Sequence, residues 1–299
     1  MSAFASGFGE NYHADPSLSV PKTDEAWVRR LLPRRTEDSH KGTYGRAHLF
    51  CGSQRYPGAA LLSSEAAFRV GCGMTYLTAP GDLRDMVLSR LPEVIFLPDA
   101  PVAEEPQGIS ARLCGCGCGN TVKTRELVAT LLKRADAPLV LDADALNALA
   151  ADADGMSRLR HAAAPVILTP HPAEFSRLFG ISVEKVQADR PAAALGAAKE
   201  SGAVVLLKGH DTLIASPTGE LLCNPTGSSA LAKAGSGDVL AGVICGLLAE
   251  GTAPFAAAAI GAWLHGKAGD LLSEELSEYG VLPSELPRAV ARVLAAMTH

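Results

Sequence analysis

The chain has 299 residues, of which 47% are hydrophobic and 20% charged, with a net charge of −5. This is the balance of a globular protein with a substantial core, and the acidic excess excludes a surface built for nucleic acid or anionic lipid. No apolar run reaches the roughly 18 residues of a membrane span, and Met1–Pro21 lacks the basic start and apolar block of a secretory signal.

Residues 1–23 are polar and rich in Gly, Ser and Pro, and are expected as a flexible arm before one domain over 24–299. Trp27, Leu31 and Leu32 are helically spaced and predict a short helix over Glu25–Leu32. Strands are then expected at Ala47–Cys51, Met74–Ala79, Val94–Leu97, Leu139–Asp142, Val166–Thr169, Val204–Lys208, Thr212–Ala215 and Leu221–Cys223. Helix-length stretches at Ala59–Val70, Thr121–Arg134 and Arg190–Ser201 separate the earlier ones. Continuous apolar strands alternating with helices predict a mostly parallel sheet covered on both faces. Pro217 and Gly219, between the last two strands, signal a hairpin and hence an antiparallel edge. From Asp238 onwards the chain reads as helical, over Asp238–Ala249, Pro254–Leu272 and Pro283–Met297.

The stretch Ala234-Gly235-Ser236-Gly237-Asp238 carries the chemistry. Gly235 and Gly237 let the backbone turn tightly and aim successive N–H groups at one point. A helix starts at once, and its unpaired amides and dipole attract anions. Gly235, Ser236 and Gly237 are therefore read as an anion hole. Asp238 sits in the first turn, where a carboxylate repels phosphate unless it accepts a proton from an attacking hydroxyl. The plainer role for Asp238 is that of a helix cap.

Other segments end strands or open helices. Cys51-Gly52-Ser53 and Tyr56–Ala60 form a Gly-rich turn without the spacing of a P-loop or a dinucleotide fingerprint. Cys114, Cys116 and Cys118 alternate with Gly115, Gly117 and Gly119. They lack the CxxC spacing of a zinc site, so a glycine loop at a strand end is expected there and no protein-held metal. All seven cysteines are read as free thiols in a reducing, cytoplasmic compartment. Asp142 and Asp144 flank a strand-to-helix turn, with Asp144 equally suited to capping. His171, between Pro170 and Pro172, is held extended and reads as a ligand contact. Lys208-Gly209-His210-Asp211-Thr212 is balanced between a nucleotide contact and a solvated hairpin turn. His48 and His265 read as packed residues.

With these motifs in order, the chain resembles the ADP/ATP-dependent NAD(P)H-hydrate dehydratases of the ribokinase-like superfamily, from about Glu25 to Met297. The resemblance rests on His40–Gly45, the Tyr56–Ala60 turn with Glu65–Gly73, the glycines at 115–119, Asp142–Asn147, Thr169–Glu174, Lys208–Thr212 and Ala234–Gly242. It implies a ribokinase-like three-layer α/β/α sandwich and an enzyme that repairs hydrated NADH or NADPH, using ADP or ATP with Mg²⁺. It further implies Asp238 as base. Ala59, Gly117, Gly119, His171 and Asp238 would contact the hydrated cofactor, and Lys208–Thr212 and Gly237 the nucleotide. A homo-oligomer, a tetramer by the resemblance, and a separate epimerase partner are also implied. Cys116, Cys118 and Lys233 depart from the commoner family pattern, and Lys233 is read as a residue that alters phosphate contacts. The alternative is a small-molecule kinase of the same superfamily. A silent nucleotide-binding protein is a further possibility that retention of Asp238 opposes. The absence of a GxGxxG turn opposes a dehydrogenase.

Overall fold

The computed structural model describes residues 20–298. Nine strands make one sheet: β1 (Arg46–Phe50), β2 (Met74–Ala79), β3 (Ile95–Pro98), β4 (Ala111–Cys114), β5 (Leu139–Leu141), β6 (Val166–Leu168), β7 (Val204–Leu207), β8 (Thr212–Ala215) and β9 (Leu221–Asn224). The spatial order is β3-β2-β1-β4-β5-β6-β7-β8-β9. The strands from β3 to β7 run parallel, and β8 and β9 pair antiparallel to close the edge. The expected mostly parallel sheet with an antiparallel margin is therefore present.

Among the described residues, twelve α-helices cover it. The first six are α1 (Glu25–Leu31), α2 (Pro57–Val70), α3 (Arg84–Arg90), α4 (Val122–Leu131), α5 (Asp144–Ala151) and α6 (Gly155–Arg160). The rest are α7 (Pro172–Phe179), α8 (Val183–Ala188), α9 (Arg190–Ser201), α10 (Ser236–Ala249), α11 (Pro254–Gly280) and α12 (Leu286–Thr298). Strand side chains alternate between two apolar layers. Val140, Ile167, Leu206 and Ile214 join the core under α2, α10, α11 and α12. Leu141, Leu168, Val205 and Leu213 join the core under α4–α9. This period-two split with both faces apolar explains why the strands read as continuous hydrophobic runs.

Three details differ from the sequence reading. β4 was not expected as a strand, because Arg112 interrupts its apolar pattern; the side chain is buried and tied to Glu105 and Asp136. The helix expected to stop at Leu272 continues to Gly280, broken at Ser277 with φ 63°. Of the expected arm, residues 1–19 lie outside the described residues, and at its end Lys22 bridges to Cys223 beside β9.

The chain leaves β1 towards β2 and β3 on one side and returns to β4 on the other. The crevice at the carboxyl ends of β1 and β4 is thus a topological switch point, where open α/β sheets bind ligands. There the amide of Gly52 donates to the carbonyl of Cys116 (2.7 Å) and stitches the two loops together.

Candidate active site

α10 points its N-terminus into this crevice. Gly235 caps it with φ 100°, in the left-handed region that glycine enters without penalty. Val239 N–H makes the first intrahelical bond, to Gly235 (3.3 Å), so the amides of Gly237 and Asp238 belong to the open first turn. Ser236 differs: its amide donates to the Lys233 carbonyl (3.2 Å), and its hydroxyl meets His265 Nε2 at 3.1 Å. His265 is buried, and burial lowers its pKa to about 4, so the ring is neutral.

Asp238 faces groups delivered by the ends of neighbouring strands. Asp142, after β5, accepts from Thr169 Oγ1 (2.7 Å) and from Lys208 Nζ (2.8 Å), both through Oδ1. Its Oδ2 lies 3.7 Å from the Cys116 thiol that follows β4. Burial works to strip the proton from Lys208, but Asp142 and Glu174 outweigh it and hold the ammonium above its ordinary pKa. Asp238 shifts the other way for a carboxylate. Burial, and then the charge of Asp142, raise its pKa to about 6, although Cys116 and Lys208 partly offset them. A half-buried carboxylate that titrates near neutrality, within reach of an anion-binding helix terminus, is equipped to accept a proton.

A cavity of about 890 Å³ opens on this group. It is lined by His171, Lys208–Thr212 and Gly235–Asp238, so the sequence-predicted nucleotide and anion-hole residues share one space. Asn224, Thr226 and Ser228 also line it and were not chosen from the sequence, because small polar residues carry no local signal; His265 on α11, read as a packed residue, lines it as well. His210 lines the mouth with its side chain 93% exposed, whereas Lys208 reaches inward.

His171 has a second employment. Its Nδ1 accepts from the amides of Ala173 (3.2 Å) and Glu174 (3.3 Å), and the His171 amide donates in turn to Glu174 Oε2 (2.9 Å). The ring thus caps α7 while facing the cavity.

Ala59, Gly117 and Gly119 are not among the residues that line this cavity. A Cβ on Gly117, whose φ is +66°, would sit 2.7 Å from the Ala59 Cβ, so this glycine lets the β4 loop lie against α2. The Gly119 amide donates to Asp144 Oδ2 (2.7 Å), and Asp144 occupies the first turn of α5.

Lys233 lines the same cavity, and its Nζ donates to the carbonyls of Tyr279 (2.7 Å) and Val281 at the end of α11.

A second concavity of about 1000 Å³ lies between α2, α11 and α12. It holds none of the predicted site residues, and its charges pair locally, as Arg69–Glu65 and Arg292–Glu275.

Comparison with known proteins decides the family. A family model described as NAD(P)H-hydrate dehydratase matches residues 47–292. The chain belongs to the NAD(P)H-hydrate dehydratase family. An ADP-dependent (S)-NAD(P)H-hydrate dehydratase of Neisseria meningitidis is 44% identical over 87% of this chain and 88% of its own length. One from Bacillus subtilis is 37% identical over 92% and 98%. The chain spans about half the length of relatives named as bifunctional NAD(P)H-hydrate repair enzymes, such as that of Moorella thermoacetica (39% identical). Among solved structures, the ADP/ATP-dependent NAD(P)H-hydrate dehydratase of B. subtilis, co-crystallized with ATP/Mg²⁺, superposes with a TM-score of 0.85 at 35% identity. It covers 94% of this chain and all of that one. A hydroxyethylthiazole kinase from Pyrococcus horikoshii, 14% identical with a TM-score of 0.58, shares the fold alone.

Proposed function

We propose that this protein dehydrates hydrated NADH or NADPH, in the S form, at the expense of ADP or ATP, with Asp238 as the base. The observation that carries this is one juxtaposition. The Asp238 carboxylate lies in the open first turn of α10, inside a cavity that also presents Lys208 and Asp142.

A hydroxyl on the hydrated nicotinamide ring would approach Asp238 from the side of Ala59, Gly117, Gly119 and His171. The nucleotide would lie along Lys208–Thr212, with its terminal phosphate on the amides around Gly237. Asp238 takes the hydroxyl proton as the oxygen bonds to phosphorus, and the nucleotide leaves with the displaced P–O electron pair. The ring then expels the phosphate ester group, and loss of a neighbouring ring proton restores the double bond of NADH or NADPH. Amides fixed before the substrate arrives stabilise the charge that builds on the transferring phosphoryl group.

The donor set fits Mg²⁺ carried by the phosphates. Asp142 and Asp238 offer hard carboxylate oxygens to the cavity, and such an ion takes most of its ligands from phosphate and water. When bound it would neutralise phosphate charge and steady its geometry.

The bifunctional relatives support a functional pairing with an epimerase. We place the protein in the cytoplasm as a homo-oligomer, which light scattering on the purified chain tests; among the described residues no helix is long and apolar enough to cross a membrane.

The deciding assay follows NADH absorbance when the protein meets S-NADHX, Mg²⁺ and either ADP or ATP. Recovery that requires nucleotide is expected. A stable phosphorylated product, or no recovery from folded protein that binds ATP, would replace this reading with that of a kinase.

A further inference from the structure

The nucleotide reaction calls for hard oxygen donors, yet a sulfur atom sits among them. Ligand atoms of Cys116, Asp142 and Asp238 all lie within 4.8 Å of one another. Cys116 is fully buried and turns its thiol towards Asp142 Oδ2, the oxygen that takes neither the Thr169 nor the Lys208 bond. Two carboxylates and a thiolate form a mixed set that binds borderline-soft divalent ions and that Mg²⁺ does not need.

The spacing suits such an ion. Zn–S of about 2.3 Å and Zn–O of about 2.0 Å at a tetrahedral angle put sulfur and oxygen about 3.5 Å apart. The observed separation of Cys116 Sγ from Asp142 Oδ2 is 3.7 Å. Asp142 is already oriented by Thr169 and Lys208 through its other oxygen, the kind of outer-shell support that fixes a metal ligand. Cys116 and Asp142 directly follow β4 and β5 and Asp238 lies in the first turn of α10, with both carboxylates lining the cavity. The charge balance also favours a cation: Asp142, Glu174 and Asp238 share the single ammonium of Lys208.

We propose that Cys116, Asp142 and Asp238 form a binding site for a thiophilic divalent cation, Zn²⁺ or its analogues, which captures the Asp238 carboxylate and so blocks the reaction. Binding exchanges the thiol proton for the metal, M²⁺ + Cys–SH giving Cys–S–M⁺ + H⁺, with the proton released to solvent. No electron changes hands.

The test adds Co²⁺ to the full-length protein without nucleotide, so that its outcome is independent of the dehydratase assay. Wild type is expected to show a sulfur-to-cobalt charge-transfer band in the near ultraviolet with the visible bands of tetrahedral cobalt, and Zn²⁺ should abolish both. Cys116→Ala and the near-isosteric Cys116→Ser should lose the charge-transfer band, while Cys118→Ala keeps it. Asp238→Asn should weaken Co²⁺ binding by more than the roughly 10- to 100-fold that loss of an outer-shell partner costs. A wild-type protein without the band, or a band that survives in both folded Cys116 variants, would overturn the site.

Discussion

Two buried charge clusters in this molecule differ in balance, and the difference separates architecture from chemistry. Around β4, the carboxylates of Glu105 and Asp136 are met by the guanidinium groups of Arg112 and Arg134, with His48 Nδ1 2.7 Å from Glu105. Acid and base match there, and the hydrogen bonds from His48 and Arg112 overcome burial to hold Glu105 below its ordinary pKa. At the tip of α10, Asp238 and Asp142 face a single ammonium, Lys208. The first cluster has no reason to exchange protons; the second is left with a carboxylate that does.

The sharpest way to break this comparison is to remove the unbalanced acid. Asp238→Asn should cut nucleotide-dependent NADH recovery by about 10²- to 10⁴-fold, the usual worth of a general base, with melting temperature little changed. A variant that kept its activity would make Asp238 a cap and no more.

The reverse treatment belongs to the balanced cluster. Arg112→Met leaves Glu105, itself 1% exposed, without its main partner, and should cost about 3–5 kcal/mol of stability in urea unfolding. Glu105→Gln with Arg112→Met together should recover part of that loss, because neither then leaves a bare buried charge.

The pH profile sharpens the contrast. Only the deprotonated Asp238 can accept a proton, and its pKa is raised to about 6 by burial and Asp142. The single-turnover rate should therefore fall tenfold per pH unit below about 6 and level off above it. Lys208→Met removes the cation that offsets Asp142, so the inflection should move to higher pH. An unmoved inflection would detach Lys208 from the base.

A smaller effect is expected from Glu250, at the end of α10. Burial pushes its carboxyl from 4.5 to about 7, and Oε1 has no hydrogen-bond partner. Because the folded value lies above the unfolded one, its contribution is intact below pH 4.5 and is lost as pH rises through 7. Glu250→Gln should therefore flatten the decline in stability between pH 5 and 8 by about 2 kcal/mol, read from denaturation at each pH.

The same contrast explains what was legible in the sequence. The glycine loop and Asp238 lie within five residues, and their chemistry is local, so they could be read directly. Six strands of the sheet and its hairpin edge announce themselves in the same way, through apolar runs that bury both faces. β1 and β3 came through at their cores, each one residue out of step. β4 did not, since Arg112 is acceptable in a buried strand only because Glu105 and Asp136 reach it from remote loops. Nor could spacing show that Cys116, Asp142, Thr169 and Lys208 converge. That meeting depends on β4, β5, β6 and β7 lying side by side. Nor could spacing show that Lys233 bonds carbonyls 46 and 48 residues further on.

Those carbonyls give the break in α11 a thermodynamic meaning. Lys233 ties the loop before α10 to Tyr279 and Val281, Ser229 bonds Glu278, and Gly227 N–H reaches Asp270 (3.2 Å). One wall of the cavity is therefore made by the last turns of a helix far along the chain. Local unfolding at residues 277–282 and occupancy of the cavity are then linked equilibria: whatever fills the pocket must slow amide exchange at the helix end that forms its wall.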